Sequence, residues 1–152
     1  MLEVSSLDNK TAKKPRGQLL KENADFFSKM LLKITPVDIL VRERGFDSQG
    51  GFSRSTATEA IWSNIGVCDM VAWVQADRIF EEIAPASVKK LVTGDGKATK
   101  EQVALKLPEY VGQVEYKVDD ESDAVAVGLA WLISKKLVDP QYKISKKNSK
   151  GM

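Results

Sequence analysis

The segment from Thr56 to Gln75 (TATEAIWSNIGVCDMVAWVQ) constrains the fold most, because it is apolar on more than one side of any helix it can form. Thr56, followed three residues later by Glu59, has the form of a capping box and predicts a helix from Thr56 to about Gln75. Ala60, Ile61, Ile65, Cys68 and Val71 line one side of that helix, and Trp62, Met70, Trp73 and Val74 extend the apolar surface to other sides. A helix that is hydrophobic nearly all round is buried, either inside the fold or in an interface.

Around this helix the pattern alternates. Leu2–Leu7 reads as a short strand, followed by the polar, basic loop TAKKPRG. Leu20, Ala24, Phe27, Leu31 and Ile34 recur at spacings of three and four, predicting an amphipathic helix from about Gln18 to Lys33. Thr35-Pro36 ends it, since a residue before proline is pushed out of the helical region. VDILVRE (Val37–Glu43) predicts a strand in which Ile39, Val41 and Glu43 share a core-directed face. Arg78–Ile83 predicts a second strand, and ASVKKLV a short helix ended at Gly94. KEQVALKL reads as a helical segment broken by Pro108, and VDDESD opens the last helix. Helices and strands in this alternation indicate an α/β sandwich.

The length of 152 residues suits one compact domain, residues 1–152, with a real core. Its net charge of +2 names no partner, but the basic residues gather at the ends. Lys10, Lys13, Lys14 and Arg16 mark a basic lead over residues 1–17, and Lys143, Lys146, Lys147 and Lys150 a basic tail over residues 140–152. Such clusters are solvated ends or contacts for phosphates. A single cysteine, Cys68, and the absence of histidine exclude a disulfide framework, a zinc cluster and any Ser–His or Cys–His nucleophile. Chemistry, if present, falls to carboxylates and lysines. No apolar run reaches membrane-spanning length and MLEVSSLDNK is unlike a signal peptide, so a cytoplasmic protein is expected.

Three places carry candidate chemistry. VDDESD places four carboxylates in five residues at the start of a nearly all-apolar run. Asp120 and Asp123, three residues apart, are neighbours across one helical turn. They either cap the helix, whose N-terminus favours negative charge, or supply oxygen ligands to a hard divalent cation. Glu43 ends a strand, the position beyond which α/β sheets bind ligands, or else pairs with Arg42 or Arg44. Lys89 and Lys100 flank VTGDGKAT, whose glycines lack the spacing of a phosphate-binding fingerprint. That loop is a tight turn with solvated lysines, or a basic site.

In order along the chain, PVDILVRERGF, VKKLVTGDGKATKEQV and DESDAVAVGLA resemble motifs of the RuvC-type Holliday-junction resolvases, members of the RNase H-like nuclease superfamily. The resemblance spans about Gln18 to Ile133. It sets Glu43 at the family's second catalytic acid, and Phe46 at an aromatic residue that stacks on a junction base. Lys89 and Lys100 fall at two functional lysines with the family's separation of eleven, and Asp120 and Asp123 at the third and fourth acids. The helix Thr56–Gln75 takes the place of the family's dimerisation helix. The family's opening strand, which bears the first catalytic Asp, has no counterpart; Asp8 in SSLDNKT is a faint echo.

The resemblance implies an RNase H-like α/β fold, a mixed sheet flanked by helices, with the N-terminal strands missing. It implies a crossover junction endodeoxyribonuclease that hydrolyses phosphodiesters at four-way junctions in recombination, repair or phage DNA processing. Glu43, Asp120 and Asp123 would hold Mg²⁺ or Mn²⁺, Lys100 would sit near the scissile phosphate, and Lys89 and Phe46 would bind DNA. A homodimer through Thr56–Gln75 would present two such sites. The alternatives are a catalytically impaired dimeric binder of branched DNA, and an RNase H-like nuclease of other specificity.

Overall fold

A computed structural model describes residues 14–45 and 56–142, which form two compact units. The strand expected at Leu2–Leu7, Asp8 and Phe46 lie outside the described residues. The elements run α1 (Arg16–Ile34), β1 (Leu40–Glu43), α2 (Thr56–Ala76), β2 (Phe80–Ile83), α3 (Pro85–Thr93), α4 (Lys100–Lys106), α5 (Pro108–Val111) and α6 (Asp119–Ser134). Among the described residues, β1 and β2 pair in a two-stranded parallel sheet, with α2 as the crossover that a parallel pair requires.

One unit is built on α1 and α2. Leu31, Leu40, Val71 and Ala72 form its buried centre, and Ala24, Phe27, Val37 and Phe80 pack around them. The Phe27 and Phe80 rings stack with centroids 5.8 Å apart. Polar contacts set the helix pairing. Asn23 donates to Asn64 at 2.6 Å, and Gln75 donates to Ser28 at 2.6 Å. The helix expected to be buried, either inside the fold or in an interface, is not enclosed on all sides by the described residues. It buries Val71 and Ala72, whereas Ile61, Trp62, Met70, Trp73 and Val74 are exposed.

The strands are shorter than expected. Leu40 is buried and begins β1, but Ile39 lies before it and is 43% exposed, so Ile39 does not join Val41 on a core-directed face. Arg78 and Ile79 belong to the link into β2. There Asp77 takes a positive φ, the Arg78 N–H returns to the Ala72 carbonyl, and its guanidinium donates to the Val37 carbonyl at 2.9 Å. Those bonds hold residue 78 out of the ladder.

The other unit comprises the ends of the two strands and α3 to α6. Its core includes Val88 and Val92 from α3, Val103 and Leu107 around α4, and Ala126, Leu129 and Ala130 from α6, with Ile83 from β2. Val41 packs against this core. α6 buries residues on several sides, which explains its almost unbroken apolar sequence. Pro108 does end α4, but it also opens the short helix α5 at its first turn, where the missing N–H costs nothing.

Candidate active site

Alternation along β1 decides where Glu43 sits. Val41 and Glu43 share a strand face, and Arg42 and Arg44 share the opposite one. The arginines engage Glu82 of β2, with Arg42 at 2.8 Å and Arg44 at 3.8 Å. The Arg44 N–H continues the pairing by donating to the Ile83 carbonyl at 2.8 Å. The charges acting on Glu43 come instead from Asp123, Lys100 and Lys89.

Lys89 and Lys100 are held by the turn between α3 and α4. Gly94 closes α3 with φ +87°, and a Cβ there would come within 3.0 Å of the Tyr142 ring. The position therefore requires glycine for both reasons. Tyr110 ties this corner down: its hydroxyl donates to the Val92 carbonyl at 3.0 Å and accepts from the Gln141 N–H at 3.0 Å. Asp95 accepts from the Lys97 N–H at 2.8 Å. Thr99 then caps α4, its hydroxyl accepting from the Gln102 N–H at 3.2 Å while the Gln102 side chain accepts from the Thr99 N–H at 2.9 Å. This reciprocal cap fixes the backbone from which Lys100 projects.

The four carboxylates at the start of α6 divide into distinct tasks. Val118, at the N-cap, makes no side-chain cap hydrogen bond, and Glu121 turns inward to bond the chain just ahead of the helix. It is 4% exposed and accepts from the Lys117 N–H at 2.8 Å. Ser122 donates to the Asp119 carbonyl at 2.8 Å. With the turn pinned this way, Asp120 stays exposed and Asp123 half-buried. The Lys100 Nζ lies 2.6 Å from the Asp123 Oδ2. The structure thus brings Glu43, Lys89, Lys100, Asp120 and Asp123 into one electrostatic neighbourhood. Glu121 is the residue that sequence reasoning passed over. Its signal was an acid three residues after an N-cap that cannot cap.

Partial burial at the strand end, then the negative charge of Asp123, raise the Glu43 carboxyl above its ordinary 4.5, against the opposing pull of Lys100 and Lys89. The hydrogen bond and charge of Asp123 raise Lys100, with smaller contributions from Asp120 and Glu43. Because native Glu43 holds its proton more tightly than it does in the unfolded chain, the native state binds more protons just above 4.5. The stability this contributes is complete below 4.5 and is lost as pH rises through the elevated native value. Glu43→Gln abolishes that loss. Urea denaturation at about pH 4 and about pH 7 should show the variant gaining on the wild type as pH rises, as for a carboxylate held in place for function. A variant that loses ground at neutral pH would mark Glu43 as structural.

Among the described residues, no group of three or more Asp, Glu, Cys or His side chains is drawn together as a ready metal cage. The donors that do cluster nevertheless suit Mg²⁺ or Mn²⁺. Mg²⁺ commonly takes one or two protein carboxylates and completes its shell with water and substrate phosphate. Burial and then the charge of Asp123 raise Glu43, and a cation near the two carboxylates would offset their repulsion. The residues fit an open site rather than a closed one.

Two solved structures share this fold. Thermus thermophilus RuvC aligns over 85% of this chain and 73% of its own, with a TM-score of 0.67 and 18% identity. T. thermophilus RuvC in complex with Holliday junction substrate aligns over 85% and 75%, with a TM-score of 0.71 and 21% identity. The fold class is therefore RNase H-like, with carboxylates at a strand end and at a helix start. Residues 53–131, more than half of the chain, match the sequence profile of crossover junction endodeoxyribonuclease RuvC, and the chain belongs to that family. Crossover junction endodeoxyribonuclease RuvC of Sulfurovum sp. (strain NBC37-1) is 48% identical over 54 residues, 35% of this chain and 34% of that protein. Its namesake in Campylobacter jejuni subsp. jejuni (strain 81-176) is 49% identical over 51 residues, 33% and 32%. The chain thus spans about a third of the length of the curated relatives it matches. No helix among the described residues is long and apolar enough to cross a membrane.

Proposed function

We propose that the chain is a metal-dependent endodeoxyribonuclease that hydrolyses phosphodiesters at four-way DNA junctions. One observation carries this: Glu43, Asp120 and Asp123, from a strand end and a helix start, share one charge cluster with Lys100 and Lys89. The solved relative in complex with Holliday junction substrate supports the substrate class. Glu43, Asp120 and Asp123 would hold Mg²⁺ or Mn²⁺, which when bound polarises the phosphoryl oxygen and makes water a better nucleophile. Lys100, the first residue of the capped helix α4, offsets the charge that builds on the scissile phosphate. Lys89 holds the neighbouring backbone, and Phe46 stacks on an unpaired base. The exposed Trp62, Met70, Trp73 and Val74 of α2 form the face through which two copies pair, so that two sites meet two strands. The chain acts as a single domain, with a basic lead and tail that add phosphate contacts, in the cytoplasm.

A second reading, a dimeric binder of branched DNA without cleavage, is favoured by the absence of a ready three-carboxylate cage among the described residues. Labelled four-way junction, fork and linear duplex, each incubated with the protein and Mn²⁺, separate the two. Nicking confined to the junction is expected. Junction binding without nicking at any metal concentration would establish the binder, and equal nicking of all three substrates would establish a nuclease of other specificity.

A further inference from the structure

We propose that Lys100 is the resident counter-ion of the carboxylate cluster: a divalent cation takes its place on Asp123 and releases its ammonium to a DNA phosphate. This inference rests on the metal-dependent nuclease proposed above and assigns Lys100 a second, earlier task. The Lys100 Nζ stands 2.6 Å from the Asp123 Oδ2, so a cation ligated by Asp123 must share that carboxylate or displace the ammonium. Displacement is easy in this geometry. The backbone of Lys100 is fixed by the Thr99 cap, whereas its side chain is 69% exposed and can swing through solvent.

The charges agree with an exchange. With Lys100 in place, the carboxylates Glu43, Asp120 and Asp123 face the lysines Lys89 and Lys100. With Lys100 withdrawn, the cluster is left two positive charges short, the charge of one divalent cation. The ammonium set free is the group a phosphate would recruit, so cation and DNA each tighten the binding of the other, as linkage requires.

Titration of Mn²⁺ alone into the full chain, followed by calorimetry, tests this with Lys100→Met and Lys100→Arg. Removing the competing charge should tighten Mn²⁺ binding by roughly twofold to fivefold in Lys100→Met, the scale of one partly exposed ion pair. Lys100→Arg keeps the charge and should bind no more tightly than the wild type. Unchanged or weaker binding by Lys100→Met would overturn the exchange while leaving the nuclease proposal standing. Tighter binding by both variants would also overturn it, since charge would then not be the cause. If neither the wild type nor the variants bind Mn²⁺, the nuclease proposal falls and the exchange with it.

Discussion

Replacing Asp123 by Asn should lower the rate of four-way-junction cleavage by at least ~100-fold in Mg²⁺ or Mn²⁺, a loss of about 2.7 kcal/mol or more in transition-state stabilisation. Asparagine keeps the shape and one carbonyl oxygen but removes the charge that holds Lys100 at 2.6 Å and that, on the proposed function, would bind a cation. The fold should survive. Asp123 is 33% and Lys100 69% exposed, and an ion pair in that setting is worth about 1 kcal/mol at most. Asp119 provides the control, being an exposed acid in the same turn whose backbone carbonyl, not its carboxylate, accepts from Ser122. Asp119→Asn should cleave like the wild type. Single-turnover rates on one junction substrate, with urea denaturation of each variant, make the comparison. A rate for Asp123→Asn within a few-fold of the wild type would remove Asp123 from the chemistry.

Glu121→Ala should act on stability instead. Its carboxylate is 4% exposed and accepts from the Lys117 N–H at the entrance to α6, so truncation leaves that donor without this acceptor. Losing a buried acceptor costs about 1–3 kcal/mol. Because Asp120 and Asp123 stand on the turn that Glu121 pins, cleavage should weaken in parallel. Glu121→Gln retains a carbonyl oxygen for the same N–H and should recover most of the stability. Urea midpoints of the two variants decide it. Equal destabilisation by Ala and Gln would show that the charge, not the acceptor, is what α6 requires.

The turn at Asp119–Asp123 shows what was legible in the sequence and what was not. Periodicity places Asp120 and Asp123 on adjacent turns, but it cannot say which acids face inward. The same acids can serve capping or site chemistry. In the structure Glu121 accepts from the Lys117 N–H just ahead of the helix, and Asp123 pairs with Lys100, with Asp120 acting on the same lysine. That outcome depends on Val118 lacking an acceptor and on buried surroundings that only the folded chain creates. The pairing of Lys100 with Asp123 crosses 23 residues and is a tertiary fact: the resemblance to the family assigned both residues to one site but did not pair them, and local pattern did neither.

Strand and helix faces were legible to a similar depth. The longer elements follow the hydrophobic pattern, as α3 does in burying Val88 and Val92, whereas the short α5 buries no residue and was not legible. The ends of β1 and β2 moved because Ile39 and Arg78 answer to tertiary bonds and exposure rather than to β propensity. α2 matched in extent but not in burial. Among the described residues it fully buries Val71 and Ala72, half-buries Ile65, Val67 and Cys68, and leaves Trp62 and Trp73 exposed, the apolar face to which the proposed dimer assigns a second copy. The competing role for Glu43, a pair with Arg42 or Arg44, turned on which neighbour those arginines reach, and both engage Glu82 of β2.

The most direct measurement is nicking of a labelled four-way junction by the wild-type chain across a Mn²⁺ titration, read on a denaturing gel. If Glu43, Asp120 and Asp123 hold a cation that drives hydrolysis, nicked strands should accumulate with rising Mn²⁺ and disappear when the cation is chelated. A junction that is bound and shifted yet stays intact at every Mn²⁺ concentration would contradict the assignment of this cluster as a nuclease site.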